Sequence, residues 1–490
     1  MNVVAAVANG LWVVSNVPAW LAFRRALARP AAAQAATLQG ILRQASRTAF
    51  GRAHGIDESC TCEAFRRRVP LQTYDTLSPW IDRIRAGETR SLTVDPVRRL
   101  ATTSGTTSGR KLIPHTVGLQ RQFNQAIGPW IVDLFRTYPS LLGGRAYWSI
   151  SPAARQADPQ PSAVPIGFED DGEYLGGLRR RLVESVLAVP PTVRHAATIA
   201  AWQTLTVEHL RRAKDLRLIS IWHPSFLDLL PGLFDGPADT PWPRLRVISC
   251  WADAHAALPA RHLAQRFPGL VIQAKGLMAT EGVVSIPFEG KWPLAIRSHF
   301  FEFLTVDGQV LLAHELEDGR QYEVVLTTAG GLYRYRLGDL VRVEGFCSRT
   351  PSVRFVGRAG NVSDRFGEKL DEPFVTDVLR QLRGEAGPVW RFAMLAPAGD
   401  HYDLFVEGDA LDDVATRADA LLRQNPHYAY CRDLGQLKGV RLHRVTHGDA
   451  TYVRRLVGLG QRLGDIKPAA LSKLDGWAEH FVSGQDHTAG

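Results

Sequence analysis

The run Thr102-Thr-Ser-Gly-Thr-Thr-Ser-Gly-Arg-Lys111 carries no apolar side chain and two glycines, so it reads as a loop between buried elements. It precedes a helical stretch around Leu119 to Thr137 and a strand-like Arg145 to Ser151. A loop that opens a helix is where α/β enzymes hold phosphates, because the first amides of a helix lack internal partners. Gly105 and Gly109 put no Cβ in the way of an anion, and Arg110 and Lys111 add positive charge. The run is not a Walker loop, since Arg110 stands five positions after Gly105 where that pattern needs a second glycine. A hydroxyl-rich linker is the alternative, and the setting between strand-bearing stretches argues against it.

Around this loop the chain alternates. Residues 31 to 49 carry Leu38, Ile41 and Leu42 at helical spacing, and Asp75 to Ile84 begins another helical stretch. Ala153 to Gly177 reads as a long surface loop able to cover a cleft, and Thr192 to Lys214 as helix. Leu216 to Trp222, Arg244 to Cys250 and Leu270 to Lys275 read as buried strands, which predicts a mainly parallel sheet. From Glu302 the pattern turns to hairpins: Gln321 to Thr327, the turn Gly330-Gly331, Leu332 to Arg336, and Leu340 to Glu344. The last segment offers strands at Val389 to Leu395, Tyr402 to Val406 and Val440 to Val445, with a helix at Asp412 to Arg423. The expected fold is α/β, a large multi-layer amino-terminal domain over residues 1–364 and a small hinged α+β domain over 365–490.

With 490 residues, 45% hydrophobic and 22% charged, the chain is an ordinary globular one without repeats. A surplus of 58 Lys plus Arg over 49 Asp plus Glu gives +9, but the basic residues are scattered, so no nucleic-acid partner is expected and anionic small molecules suit the charge. Five dispersed cysteines argue against a disulfide framework and place the chain in the cytoplasm; Cys60-x-Cys62 has no second ligand pair, so no zinc is expected. Val3 to Phe23 is apolar over about the ~20 residues a membrane span needs. Asn9, Ser15, Asn16 and Pro18 interrupt it, and it reads as a helix packed on the domain or making peripheral membrane contact. A monomer is expected.

Thr103 to Lys111 resembles the ATP phosphate loop of the adenylate-forming superfamily, whose further elements occur here in order. Met278-Ala279-Thr280-Glu281-Gly282 looks like its Thr-Glu motif, and Gly331-Leu-Tyr-Arg-Tyr-Arg-Leu-Gly-Asp339 like its Tyr-Arg-x-Gly-Asp motif. Gly357-Arg358 matches its hinge region in part, while Gly367-Glu-Lys-Leu-Asp-Glu372, Asn425-Pro-His-Tyr428, Cys431-Arg432 and Gly460-Gln-Arg-Leu-Gly-Asp-Ile-Lys467-Pro resemble the auxin-responsive family of acyl acid-amido synthetases. The resemblance implies an enzyme that joins a carboxylic acid to AMP and then passes the acyl group to an amine, an amino acid above all, with ATP and Mg²⁺ in the cleft between the domains.

It also implies roles. Thr103, Ser104, Gly105, Thr106, Thr107, Ser108, Gly109 and Lys111 would hold ATP phosphates; Thr280 and Glu281 would face the nucleotide, with Glu281 on Mg²⁺; Asp339 would accept both ribose hydroxyls and Arg358 would contact ribose or phosphate. Strand alternation leaves Arg334 and Arg336 open to either the cleft or cross-strand ion pairs. Lys467 would supply the mobile cation for adenylation, with Lys438 as competitor and a solvated surface lysine as the plain reading of either. For the acyl pocket the residues are Phe123, Trp222 and His223, the last either polarising substrate or purely structural. The chain departs from the pattern at Gly360, where relatives carry a hinge Asp, and at Leu277, where they carry an adenine-stacking Tyr; Trp251 is a candidate replacement or a core residue. The rivals are a thiol-forming acyl-CoA ligase of the same superfamily and a nucleotide-binding, membrane-associated protein without catalysis.

Overall fold

The computed structural model describes residues 2–103, 111–148, 161–167, 177–234, 242–360, 362–384, 390–409, 412–459, 461, 466 and 469–482. The chain forms two compact units: Met1–Ile221 with Phe234–Ser249 and Gln273–Phe355, and Trp222–Leu233 with Cys250–Ile272 and Val356–Gly490.

The first unit begins with the Val3–Leu27 helix, which buries Ala5, Ala8, Trp12, Trp20, Phe23 and Leu27 and packs along the Val117–Thr137 helix. The polar residues that interrupt its apolar run are satisfied inside the protein. Asn9 Nδ2 donates to the carbonyls of Leu142 (3.0 Å) and Gly144 (3.1 Å), and Asn16 Nδ2 to that of Trp12 (2.8 Å). Gly128 lets the two helices approach, since a Cβ there would lie 2.8 Å from Asn16 Oδ1. One face of the helix thus packs on the domain, and its opposite face leaves Val3, Val4, Val7, Leu11 and Val14 exposed.

The Pro30–Ala45 helix follows, and its buried Gln34 ties it to the next layer by donating to the carbonyls of Ile296 (2.7 Å) and His299 (2.8 Å) and accepting from Phe301 N–H (2.8 Å). Leu38, Ile41 and Leu42 then join a core with Phe50, Leu77, Ile81, Tyr333 and Tyr335. Strands Arg145–Trp148, Leu216–Ser220 and Val247–Cys250 run parallel in that order, as the alternation of strand-like and helical stretches predicts, and Val271–Ala274 completes the sheet. The expected Thr192 to Lys214 helix is shorter: a tight turn at Pro191–His195 precedes a helix at Ile199–Arg212 capped by Thr198, whose side chain accepts from Ala201 N–H. Most of Ala153 to Gly177 lies outside the described residues.

A five-stranded sheet in the order Val310–Leu312, Phe300–Leu304, Gln321–Thr327, Tyr335–Cys347, Thr350–Arg358 holds the hairpin region. Here the expectation needs correcting. Leu332 to Arg336 and Leu340 to Glu344 are not two strands; one strand begins at Tyr335 and runs to Cys347, while Arg334 just before it sits at φ +49°. That left-handed residue breaks the alternation argued for the two arginines.

In the second unit, Trp390–Ala398 and His401–Gly408 pair antiparallel and Arg441–Arg444 runs parallel to the latter, covered by helices Glu372–Arg383, Val414–Leu422 and Pro426–Asp433. The motif residues of this segment are structural. Asn425 caps its helix by accepting from His427 N–H (2.9 Å) and Tyr428 N–H (3.2 Å), buried Tyr428 donates its hydroxyl to Asp419 (2.7 Å), and Arg432 Nε bonds the same carboxylate (2.8 Å). Glu368, wholly buried, accepts from the amides of Arg365 and Phe366 and from Tyr402 Oη (2.5 Å), and Asp371 caps the Glu372–Arg383 helix.

Candidate functional site

The phosphate loop is carried by a hairpin. Val97–Thr103 pairs antiparallel with Lys111–Thr116, and Thr103 opposite Lys111 is the last pair before residues 104–110. Ser104, Gly105, Thr106, Thr107, Ser108 and Gly109 lie outside the described residues, so the structure places the loop's two ends only. A strand therefore stands between loop and helix, and the Val117–Thr137 helix is capped by Thr116, which accepts from Leu119 N–H at 3.1 Å. Lys111 Nζ lies 5.8 Å from the centre of the Tyr74 ring, whose hydroxyl accepts from Leu112 N–H (2.9 Å).

Glu281 sits in the turn of a short hairpin, Met278–Ala279 with Gly282–Val283, and is 8% exposed beside the half-buried Thr280. The hairpin presses on a buried imidazole: a Cβ at Gly282 would meet His299 Nε2 at 2.9 Å, and Val283 N–H donates to the same nitrogen at 3.1 Å. Glycine after Glu281 is thus a packing requirement. Leu277 is buried, its N–H bonding Ser285 Oγ (3.0 Å) after a turn at Gly276, φ +79°.

Asp339 is wholly buried on the Tyr335–Cys347 strand. The register explains its aim. Glu323 pairs with Leu340 but Val325 with Arg336, so the strand bulges between them, and Gly338 takes the positive φ (+79°) that the bulge requires. Arg334 and Arg336, left open by the sequence, resolve as ion pairs. Arg334 makes a bidentate pair with Glu302 (2.9 Å twice) and donates Nη1 to the carbonyls of Arg66 and Val69 (2.7 Å each), while Arg336 pairs with Glu323 (2.7 Å). Phe123 is buried in the Val117–Thr137 helix against His299.

The other residues belong to the second unit. Trp222 and Trp251 lie with ring centres 5.5 Å apart, joined by Trp251 N–H to the Trp222 carbonyl (2.8 Å), so the acyl and adenine candidates form one aromatic pair. His223 is buried, and its carbonyl accepts from Phe226 N–H (3.1 Å). Arg358 ends its strand next to Gly357, where a Cβ would meet Pro373 at 3.0 Å. Lys467 lies outside the described residues, while its competitor Lys438 forms an exposed ion pair with Asp400 at 2.6 Å. Lys473, not singled out from the sequence, donates to the Gly360 carbonyl (2.6 Å) and so fixes the segment after Arg358; a lone surface-type lysine gives no sequence signal for this. A separate cavity of ≈ 540 Å³ in this unit is lined by Asp228, Glu407 and Asp449 with Arg266 and Arg391; burial and the two other carboxylates push Asp449 up to about 8.

Among the described residues no group of three His, Cys, Asp or Glu could hold a metal, and all five cysteines are free thiols. Glu281 as a single hard carboxylate next to a hydroxyl fits Mg²⁺, which takes one or two carboxylates and completes its shell with phosphate and water.

This architecture has solved counterparts. The structure of GH3.15 acyl acid amido synthetase superposes with a TM-score of 0.77 at 18% identity, covering 95% of both chains. That of 2-hydroxyisobutyryl-CoA ligase, in the postadenylation state with 2-HIB-AMP, gives 0.57 at 14% identity over 95% of this chain and 94% of the other. The fold is that of the adenylate-forming ligases. Residues 21–193 match the GH3 family N-terminal domain and residues 292–358 the GH3 family central domain. Jasmonoyl–L-amino acid synthetase JAR6 of Nicotiana attenuata is 24% identical over 538 residues, 89% of this chain and 90% of its own. The chain thus carries the N-terminal and central domains of the GH3 family.

Proposed function

We propose that this protein activates a carboxylic acid as an acyl-adenylate and transfers the acyl group to the amine of an amino acid. One observation carries the reading: Glu281 and Asp339 both stand in buried, glycine-shaped positions of a chain that aligns almost end to end with an acyl–amino acid synthetase.

In the first step a carboxylate oxygen attacks the α-phosphorus of ATP, the bond to the pyrophosphate oxygen breaks, and pyrophosphate leaves. Asp339 accepts hydrogen bonds from the ribose hydroxyls, residues 103–111 hold the phosphates, and Arg358 supplies a further cation near ribose or phosphate. Glu281 would hold Mg²⁺, whose chemistry there would be to neutralise phosphate charge. Lys467 meets the point where carboxylate and α-phosphate, both anionic, come together. In the second step the amine nitrogen attacks the acyl carbon, the bond to the AMP oxygen breaks, and the amine proton passes to water. Phe123, Trp222 and His223 are the proposed acyl contacts.

A pyrophosphate-release screen over carboxylic acids, with amino acids or coenzyme A as acceptor, tests the reading. Amide formation with an amino acid and none of the thioester supports it, and thioester alone moves the chain to the acyl-CoA ligases. Asp339→Ala is expected to weaken nucleotide use by about 1.5 to 3 kcal/mol, since the ribose hydroxyls lose a charged acceptor. Unchanged nucleotide affinity in that variant removes Asp339 from the site.

The exposed stripe Val3, Val4, Val7, Leu11 and Val14, followed by Arg24 and Arg25, suits peripheral contact with an anionic membrane from a reducing compartment, the cytoplasm. Vesicle co-sedimentation is expected to fall about tenfold or more in Val7→Asp/Val14→Asp. Equal sedimentation of variant and wild type removes the membrane role.

A further inference from the structure

In the first unit a groove of ≈ 340 Å³ is lined by one face of the Pro30–Ala45 helix, the first turns of the Val117–Thr137 helix and residues around Arg297 and Ala329. None of the residues assigned above to nucleotide, metal or acyl group lines it. Its space comes from small residues, Ala33, Ala36 and Gly40 on one helix facing Gly118 on the other. Its charge comes from Arg121 and Arg297, and no Asp or Glu is in the lining. Neither arginine has a hydrogen bond or ion pair among the described residues. Asp95 is not in the lining but borders it, its Oδ2 2.9 Å from where a Gly118 Cβ would be.

A third group points the same way, and its orientation is forced by a buried chain of hydrogen bonds. His299 is wholly buried, and burial holds its imidazole down at about 3, so it is neutral with one donor and one acceptor nitrogen. Val283 N–H donates to Nε2 (3.1 Å), which makes Nε2 the acceptor and leaves the proton on Nδ1. Nδ1 therefore donates to Gln122 Oε1 at 3.1 Å, and Ala329 N–H donates to the same oxygen at 2.8 Å. With Oε1 committed to two donors, the Nε2 of Gln122 carries two hydrogens and has no partner among the described residues. Gln122 is 7% exposed and lines the groove, so a largely buried side chain with a spare amide donor borders that space.

Two guanidiniums without partners among the described residues and a fixed amide donor line one space that has no carboxylate in its lining, which matches the donor set that takes a planar or tetrahedral oxyanion. The volume exceeds that of a bare ion and Ile41 adds an apolar wall, which suits an organic anion. We propose that this groove is a second binding site, for a small organic carboxylate or phosphate ester, held by Arg121, Arg297 and Gln122 Nε2. The site does not depend on which acid or acceptor the enzyme uses.

Thermal-shift and calorimetric titrations of the full chain test it, with benzoate, inorganic phosphate and phosphatidylglycerol vesicles as probes on wild type and on Arg121→Gln/Arg297→Gln. Because neither arginine is paired among the described residues, the double variant should melt with the wild type in the absence of probe. At least one probe is expected to bind the wild type about tenfold or more tightly than the double variant, as removing charged hydrogen-bond donors implies. A soluble probe giving that difference identifies a free metabolite, and vesicles alone a lipid headgroup. Equal affinity of the two proteins for every probe overturns the site, since any binding would then belong to the acyl or nucleotide pockets.

Discussion

Lys467→Ala is expected to reduce pyrophosphate release by about 10²-fold or more, while amide still forms from a supplied acyl-adenylate and amine. The magnitude follows from removing one preorganised positive charge from a water-poor site in which charge develops. The separation of the two steps follows from their electrostatics. Adenylation brings a carboxylate against an anionic phosphate, and only a cation lowers that barrier, whereas a neutral amine attacking a carbonyl meets no second anion. Lys438→Ala is the control, because Lys438 is exposed and already engaged with Asp400 at 2.6 Å, a pair of the kind that contributes little. Rapid-quench measurement of pyrophosphate and of amide, each for both variants, separates the cases. Swapped behaviour would move the role to Lys438. Normal adenylation in both would leave the family's mobile lysine without a counterpart in this chain.

The motifs were legible through their resemblance to a known superfamily, and the structure supplies the physical restriction behind them. Gly282 must be glycine because His299 Nε2 would lie 2.9 Å from its Cβ, and Gly338 because the bulge before Asp339 needs φ +79°. The parallel strands were legible from their alternation with helical stretches, and Val247–Cys250 is buried at every position. Three features were not. The strand Lys111–Thr116 is hidden because its Pro114 and short length look like loop. The register of Glu323 against Leu340 and of Val325 against Arg336, which aims Asp339, depends on a partner strand that local pattern does not identify. The Val283–His299–Gln122 chain joins residues distant in sequence, and no spacing rule announces it.

The second large effect lies in the arginine of the Tyr-Arg-Leu-Gly-Asp strand, which the ion pairing makes a structural residue. Glu302 is wholly buried and receives both forks of Arg334 at 2.9 Å and Arg66 Nε at 3.1 Å. Glu302→Ala would leave the buried Arg334 without its counter-charge and set it beside Arg66, so a loss of about 3 to 5 kcal/mol of stability is expected. Arg334→Ala should be milder, because Glu302 keeps Arg66, although the carbonyls of Arg66 and Val69 each lose a donor that now stands at 2.7 Å. The double variant should be less destabilised than Glu302→Ala alone, since it removes the uncompensated charge together with its partner. Urea denaturation of the three variants measures this, and nucleotide affinity of the folded fraction gives the functional half. That affinity should stay near wild type, because the bulge at Gly338 holds Asp339 separately from the pair. If Arg334→Ala keeps its stability and loses nucleotide binding, Arg334 serves the nucleotide and the ion pair with Glu302 only stores it between turnovers.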